Sequence, residues 1–245
     1  NEGVRGLLSH DYETDGSLEH PRAHTLQRAD GSIIRPRSSF FYADPVPQDA
    51  KPIFLDDQYY PSHQAVDFYH HYKEDIELMA GMGFNVFRFS ICCSRIYPTG
   101  DELTPNEEGL KFYDDVINEL EKHGMEPLIT ICHDEMPMNH AIKYNGWANK
   151  HVIDCYVKYC QTLFERYGSR CKYWLTFNEI NMILHLPFMG AGLVFEKGED
   201  EETSKYLSAH HELIASAWAT KIGHEIDEEN KIGCMMAAGD FYPYC

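Results

Sequence analysis

The stretch CKYWLTFNEINMI, Cys171 to Ile183, joins a short apolar run to polar residues directly behind it. Residues 173–177 are aromatic, β-branched and apolar, which is typical of a buried β-strand. An amide and a carboxylate follow at once, Asn178 and Glu179. A buried strand that ends in such a pair indicates a rigid support that directs polar groups toward a site.

The composition of the whole chain is that of one soluble globular domain. It has 245 residues, 43% of them apolar, which is ample for a sizeable core. The formal net charge of -18 repels phosphate backbones and anionic membrane surfaces, so neither nucleic acid nor a membrane is expected as a partner. No apolar run approaches the roughly 20 residues that a membrane helix needs.

The eight cysteines show no paired or repeated spacing, and the sequence has no C-x-x-C. This pattern favours buried, reduced thiols in a cytoplasmic protein over a disulfide framework. No signal peptide is visible, and the abrupt start at Asn1 leads us to expect that an earlier segment is missing.

Helical and strand patterns alternate from residue 69 onward. Apolar residues at helical spacing predict four helices, around residues 69–83, 104–124, 153–168 and 206–218. Nearly continuous apolar runs predict four strands, at residues 85–91, 125–132, 173–177 and 231–238. Thr104, Pro105 and Glu107 form a predicted capping box at the start of the second helix. Apolar strands separated by single helices imply a parallel sheet covered by helices.

The predicted fold class is α/β, an incomplete (β/α)8 TIM barrel. No Gly-rich phosphate loop follows a strand, which argues against the dinucleotide and nucleotide folds. The predicted strands, interpreted as strands 2–5, make about half of an eight-stranded barrel. Residues 1–245 are therefore interpreted as one domain, the N-terminal part of the barrel, with residues 1–60 as a long loop after a missing first strand. Because a half barrel leaves strand edges unpaired, we expect these residues alone not to form a stable, active monomer.

Polar residues gather where the predicted strands end, which is the active-site face of such barrels. They are Arg88, Ser90, Cys93 and Ser94 on the first strand, His133, Asp134 and Glu135 on the second, Asn178 and Glu179 on the third, and Asp240 after the fourth. A rim with two or more carboxylates suits glycoside hydrolysis, in which one carboxyl acts as acid and the other as nucleophile or base.

Four motifs, in this order and spacing, resemble glycoside hydrolase family 1. They are FRFSICCSRIYPTG (87–100), ICHDEMP (131–137), YNGW (144–147) and TFNEI (176–180), with a weaker match at NEG (1–3). The details EMP and NEIN are most like the bacterial 6-phospho-β-glucosidases of that family. The resemblance covers roughly residues 60–245.

The resemblance implies a role for each matching residue. Glu179 matches the general acid/base, and Asn178 matches the residue that hydrogen-bonds the sugar's 2-hydroxyl. His133 matches a ligand of the glycone hydroxyls. Arg88 matches the arginine that lies beside the nucleophile and keeps it ionised. A glycosidic oxygen leaves poorly unless it is protonated, so we expect Glu179 to hold its proton near neutral pH.

The same residues also have structural explanations. Arg88 could be a buried partner of any carboxylate, and His133 could be a satisfied core histidine. Asn178 could cap a helix that has Glu179 in its first turn. The conjunction of all four on successive strands favours the catalytic interpretation. The resemblance implies no cofactor, and the His pairs at 70–71 and 210–211 lie on helix patterns without metal-ligand spacing.

Two positions depart from the family pattern. Asp134 stands where the family usually has an aromatic residue, which removes a sugar contact and adds a charge. Asn145 stands where glycine is more frequent. By resemblance, the nucleophile and the phosphate-binding loop lie beyond Cys245.

Three functions therefore stay open. The first is a retaining β-glycosidase that hydrolyses 6-phospho-β-glucosides, such as phosphorylated cellobiose or aryl-β-glucosides. The second is a β-glucosidase or β-galactosidase of the same family that acts on unphosphorylated sugars, and the third is a catalytically inactive barrel that binds sugar. The expected partner is a small phosphorylated β-glucoside, and homo-oligomerisation stays open.

Overall fold

The N-terminal region of the chain carries short antiparallel strands. The computed structural model describes residues 22–23, 25–39, 42–44, 46–58, 60, 65–195 and 198–238. Its first six strands are β1 (Arg22–Ala23), β2 (Leu26–Gln27), β3 (Ile33–Ile34), β4 (Arg37–Ser39), β5 (Tyr42–Ala43) and β6 (Lys51–Pro52). They form two small sheets, in the orders β1-β4-β5 and β3-β2-β6. Strands of 2 or 3 residues are too short to show a period in the sequence, so this region had the pattern of a plain loop.

Helices and strands alternate over the rest of the chain. In order they are α1 (Phe68–Gly81), β7 (Val86–Ser90), α2 (Cys93–Ile96), α3 (Glu107–Lys122), β8 (Glu126–Cys132), α4 (Met138–Tyr144), α5 (His151–Tyr167), β9 (Tyr173–Phe177), α6 (Pro187–Ala191), α7 (Glu201–Ile226) and β10 (Lys231–Gly233). Single 3-10 turns lie at Gly146–Ala148 and Ile180–Leu184. The four predicted helices and four predicted strands are confirmed, although β10 ends five residues before the predicted run does.

The last four strands form one parallel sheet in the order β7-β8-β9-β10. Val86 lies opposite Glu126, Cys132 lies opposite Phe177, and Lys231 lies opposite Tyr173. Each strand thus pairs with its neighbours in sequence, with helices between them, as in a (β/α) barrel. The carboxyl ends of the strands meet at one edge, which is where the polar residues of the sequence were expected.

Helix α3 begins two residues later than its predicted capping box. Asn106 is the N-cap, and its side-chain oxygen accepts a hydrogen bond from the backbone N–H of Glu108 at 3.1 Å. The backbone N–H of Asn106 also donates to the carbonyl of Ile96 at 2.8 Å, which ties the cap to the end of α2. The capping box at Thr104 was therefore wrong, because this anchor sets where the helix begins.

Helix α7 buries a face that its apolar residues did not predict. Its large apolar residues Tyr206, Leu213 and Trp218 are exposed, whereas its buried face is small or polar. That face consists of Ser208, His211, Glu212, Ala215, Ser216, Ala219 and Gly223. Small residues let α7 approach closely, since a Cβ on Gly223 would lie 2.9 Å from the ring of Phe164 in α5. Among the described residues, no helix combines the length and the apolar character that crossing a bilayer requires.

Two tyrosines of α5 fasten the helix to the ends of three strands. The hydroxyl of Tyr159 donates to the carbonyls of Ile91 at 2.8 Å and Ile131 at 3.2 Å. The hydroxyl of Tyr156 donates to the carbonyl of Thr176 at 2.6 Å. Buried carbonyls need partners, and these three belong to β8, to β9 and to the residue that follows β7. The hydroxyls therefore set the relative positions of the strand ends.

We expect Tyr159→Phe to lower the free energy of unfolding by about 1–3 kcal/mol, because it leaves buried carbonyls without their partner. Urea unfolding of the full-length protein measures this change. Tyr173→Phe is the matched control, since Tyr173 is 44% exposed and its loss should alter stability by about 0.5 kcal/mol or less. Equal stability of the two variants would contradict the anchoring role of Tyr159.

Candidate active site

Arg88 connects three strands at the rim of the sheet. It lies on β7, and its Nε donates to the hydroxyl oxygen of Thr130 on β8 at 2.9 Å. Its Nη2 donates to the side-chain oxygen of Asn178, directly after β9, at 2.7 Å. Charge-assisted bonds of this kind are short and directional, so the guanidinium fixes the amide of Asn178 in one orientation. The observed partner of Arg88 at this position is therefore an amide. The remaining N–H groups of the guanidinium can bind an anion.

Glu179 lies in a turn that the backbone holds in place on both sides. Its φ of 45° and ψ of 47° are in the left-handed region, which is uncommon for residues other than glycine. The N–H of Asn178 donates to the carbonyl of Cys132 at 2.9 Å, and the N–H of Ile180 donates to the carbonyl of Met235 at 3.1 Å. Strained backbone persists where its surroundings determine it, and it is concentrated at functional sites.

The helix-cap explanation of these two residues is not what the structure shows. Glu179 precedes the 3-10 turn Ile180–Leu184, but its side chain makes no capping hydrogen bond. The side-chain oxygen of Asn178 is bonded to Arg88 instead. The Asn178 side chain is therefore held by Arg88 and not by a helix terminus, and the Glu179 side chain is not used as a cap.

His133 stands next to these groups, at the end of β8. Its side chain is exposed, so it is not a core histidine. The protein atoms around the ring lower the pKa of His133 by desolvation, and the positive charge of Arg88 acts in the same direction. Glu179 and a hydrogen bond with Asn178 oppose this shift without reversing it. A neutral imidazole can donate one hydrogen bond and accept another, which suits a pair of sugar hydroxyls.

Three further carboxyl groups surround the site. Glu135 is 6% exposed and accepts a hydrogen bond from the hydroxyl of Ser90 at 2.8 Å, which ties β7 to the segment after β8. Asp134 has a φ of 59°, a conformation that aspartate tolerates better than an aromatic residue does. Glu212 comes from the buried face of α7 and is 3% exposed.

Glu212 is the residue that sequence reasoning missed. Burial raises the pKa of its carboxyl well above the usual range, and the charge of Asp134 adds to the shift. Glu212 therefore holds its proton to a higher pH than an exposed glutamate does. The sequence signal was a glutamate within a helical pattern. The apolar residues of α7 predicted a different buried face, so Glu212 was not expected to be buried.

Glu179, Asn178, Asp134 and Glu212 line one cleft of about 250 Å³. A larger cleft, of about 410 Å³, lies behind the rim and is lined mostly by aromatic, apolar and thiol side chains. Asn178 and Glu179 belong to the smaller cleft, and Glu135 lines the larger one. We regard the smaller cleft, with Arg88 and His133 beside it, as the candidate site.

Other residues from the sequence lie elsewhere or are occupied differently. Cys93 and Ser94 begin α2. Trp147 is 2% exposed and packs against the rings of Tyr156 and Phe177. Asp240 and the NEG segment lie outside the described residues. Asn145 has a φ of 56°, and its side-chain oxygen accepts the N–H of Val194 at 2.7 Å, so asparagine serves here where glycine is more frequent.

The chain belongs to glycosyl hydrolase family 1, whose model matches residues 51–245. The family and the fold class expected from the sequence are thereby confirmed.

A 6-phospho-β-glucosidase of Escherichia coli K12, AscB, is 56% identical over 189 residues, covering 77% of this chain and 40% of the relative. A β-glucosidase of Thermotoga maritima in complex with castanospermine is 34% identical with a TM-score of 0.66, covering 75% of this chain and 41% of that one. A rice β-glucosidase mutant in a covalent complex with glucose is 31% identical with a TM-score of 0.66, covering 71% of this chain and 39% of the rice chain. This chain spans about 40% of the length of the curated relatives it matches.

We expect Glu212→Gln to make the protein more stable than the wild type as the pH rises. The unfolded carboxyl loses its proton near pH 4.3, whereas the folded one keeps it, so wild-type stability falls above that pH by up to about 1.4 kcal/mol per pH unit. Glutamine does not titrate, and the two proteins should converge below about pH 4. Urea unfolding of both proteins at a series of pH values, from about pH 4 upward, measures the difference in their free energies of unfolding. Glu228→Gln, at an exposed position, is the control, and a difference independent of pH would contradict the buried protonated state.

Proposed function

We propose that the protein is a retaining β-glycosidase that hydrolyses 6-phospho-β-glucosides. The observation that carries this proposal is the meeting of Arg88, His133, Asn178 and Glu179 at one sheet edge, with the side-chain amide fixed by the guanidinium. Family membership supports the reaction class, and the name of the Escherichia coli relative supports the phosphorylated substrate.

Glu179 is the proposed general acid and base. As an acid it gives its proton to the glycosidic oxygen, which makes the aglycone a better leaving group. As a base it then takes a proton from the water that hydrolyses the covalent glycosyl-enzyme. The rigid turn around Glu179 suits this role, because both steps need the same carboxyl at the same place. The rice mutant in a covalent complex with glucose supports a covalent intermediate for the family.

Asn178 and Arg88 act together in this proposal. The guanidinium occupies the amide oxygen of Asn178, so an amide N–H that is not engaged with His133 can donate to the 2-hydroxyl of the sugar. Hydrogen bonds to that hydroxyl strengthen as the oxocarbenium-like transition state forms. The remaining N–H groups of Arg88 lie ready for the carboxylate nucleophile, which by family resemblance lies beyond residue 245. His133 would hold glycone hydroxyls beside them.

The 6-phosphate must be recognised by groups other than those of the candidate site. The described carboxyl groups in or around the site are Asp134, Glu135, Glu179 and Glu212, and its described cation is Arg88. An anionic phosphate gains little here, so the proposed phosphate pocket lies in the later part of the family barrel. A cytoplasmic location stays a prediction from the sequence, and homo-oligomerisation stays open.

A β-glucosidase for unphosphorylated sugars is the second candidate. The Thermotoga maritima enzyme supports it, because its structure superposes on this chain and its name specifies a plain β-glucoside. The inactive-barrel alternative depends on Asp134, whose charge beside the glycone site would disfavour ordinary sugar contacts.

We expect Glu179→Gln in the full-length protein to lower turnover of natural glycosides by about 10²–10⁴-fold, because acid assistance is lost. An aryl glycoside with a good leaving group needs little protonation, so its glycosylation step should be largely spared. Deglycosylation should stay slow, and the covalent intermediate should accumulate.

Added azide, which attacks without a base, should restore turnover of Glu179→Gln and give the β-glycosyl azide. Steady-state rates and product analysis measure both effects, and Glu228→Gln, with wild-type kinetics expected, serves as the control. A Glu179→Gln protein that is equally inactive on every leaving group and insensitive to azide would show that this carboxyl is structural.

We expect the full-length protein to prefer p-nitrophenyl β-glucoside 6-phosphate over the unphosphorylated glucoside. Each charge-assisted bond to the phosphate should contribute about 1.5–3 kcal/mol, or about 10–150-fold in kcat/KM. The measurement is kcat/KM for both substrates under one set of conditions. Equal values would overturn the phosphorylated substrate and leave the glycosidase proposal standing.

A further inference from the structure

Three metal-binding side chains lie together away from the candidate active site. Asp101, in the segment between α2 and α3, meets His151 and Cys155 of α5, which are one helical turn apart. One ligand atom from each of the three lies within 4.8 Å of the others. Asp101 Oδ1 is 3.3 Å from His151 Nε2 and 4.0 Å from Cys155 Sγ, and the sulfur is 3.4 Å from the same nitrogen.

Two of these separations are those of ligands around one ion, and the third, between Asp101 Oδ1 and Cys155 Sγ, is slightly longer. A tetrahedral zinc with bonds of about 2.0–2.3 Å has its ligand atoms about 3.3–3.8 Å apart. A thiolate, an imidazole and a carboxylate are also a donor set that suits zinc better than calcium or magnesium, which prefer oxygen.

His140 lies beside this cluster, on the Asp101 side. It is 4% exposed, and its Nε2 is 4.0 Å from Asp101 Oδ1. The ring lies against Gly100, where a Cβ would come within 2.0 Å of Nε2, so residue 100 has no room for a side chain. His140 is therefore a neighbour of the three side chains and not one of the group.

The far side of the Asp101 carboxylate is already supported. Its Oδ2 accepts hydrogen bonds from Lys143 Nζ at 2.7 Å, Asn139 Nδ2 at 3.2 Å and the Tyr144 hydroxyl at 3.0 Å. Outer hydrogen bonds of this kind orient metal-ligating carboxylates. Lys143 contacts Oδ2, whereas Oδ1 accepts a hydrogen bond from the Tyr144 hydroxyl at 3.1 Å, so an ion at Oδ1 would leave the Lys143 contact in place.

We propose that Asp101, His151 and Cys155 form a structural binding site for a zinc ion. The ion would join two segments, the loop before α3 and the first turns of α5. Because α5 also carries Tyr156 and Tyr159, the site would fasten the helix that positions the strand ends. It is separate from the proposed acid and base, so its occupancy does not depend on the glycosidase proposal.

Cobalt titration of the chelator-treated full-length protein tests this site. We expect one equivalent of Co²⁺ to bind with tetrahedral d–d bands and a thiolate-to-cobalt charge-transfer band, and Zn²⁺ to displace it. Cys155→Ser should abolish the charge-transfer band and weaken binding by about 10–100-fold or more, since even outer partners contribute that much. His151→Gln should weaken binding similarly while it keeps the band. His151 is 46% exposed on its side chain, so this variant leaves the core intact.

The matched controls are Cys234→Ser and His210→Gln, an exposed thiol and an exposed imidazole. Both should bind cobalt as the wild type does. Zinc should raise the melting temperature of the wild type and of both controls, but not that of Cys155→Ser. Absence of binding at one equivalent, or a charge-transfer band that survives in Cys155→Ser, would overturn the proposal.

Discussion

The hydroxyls of Tyr156 and Tyr159 hold carbonyls at the ends of three neighbouring strands, and the candidate site is built on those ends. The two tyrosines are three residues apart and therefore share one face of α5. Where a strand ends its ladder ends too, and the last carbonyls need other partners. A single rigid helix supplies these partners. The strand ends that carry Arg88, His133 and Asn178 are therefore fixed relative to one another. Small misplacements of such groups would be costly, because catalytic hydrogen bonds depend on geometry within fractions of an ångström.

Electrostatics at the site are arranged through shared partners. Arg88 is bonded to a neutral amide, which fixes the amide and leaves the positive charge uncompensated by that contact. The same charge helps to keep His133 neutral. On the opposite side, burial raises the pKa of the Glu212 carboxyl and so disfavours a negative charge on Glu212 beside Asp134. The site thus combines a defined cation, a neutral imidazole and one half-buried carboxyl at Glu179, although the chain as a whole is strongly acidic.

The sequence predicted the strands and the rim residues because both depend on local patterns. An apolar run followed by Asn178 and Glu179 describes a buried strand and its end, whatever the rest of the chain does. The buried face of α7 was not predictable in this way, since Glu212 is buried through close packing of small residues against α5. The cluster at Asp101 has no sequence signature either, because its ligands come from separate segments rather than from one spaced motif. The Asn106 cap was missed because its anchor is the carbonyl of Ile96, ten residues earlier.

The order β7-β8-β9-β10 has a consequence for how the protein is made. Each strand pairs with the one synthesised just before it, so every contact in the sheet closes a loop that contains only the helices between those two strands and their connections. Pairings of this kind have low contact order, and chains fold as their N-terminal parts emerge from the ribosome. The rim would therefore be assembled stepwise. The strand that carries Arg88 would form first, and its hydrogen bond to Asn178 would form only after the chain 90 residues further on has been made.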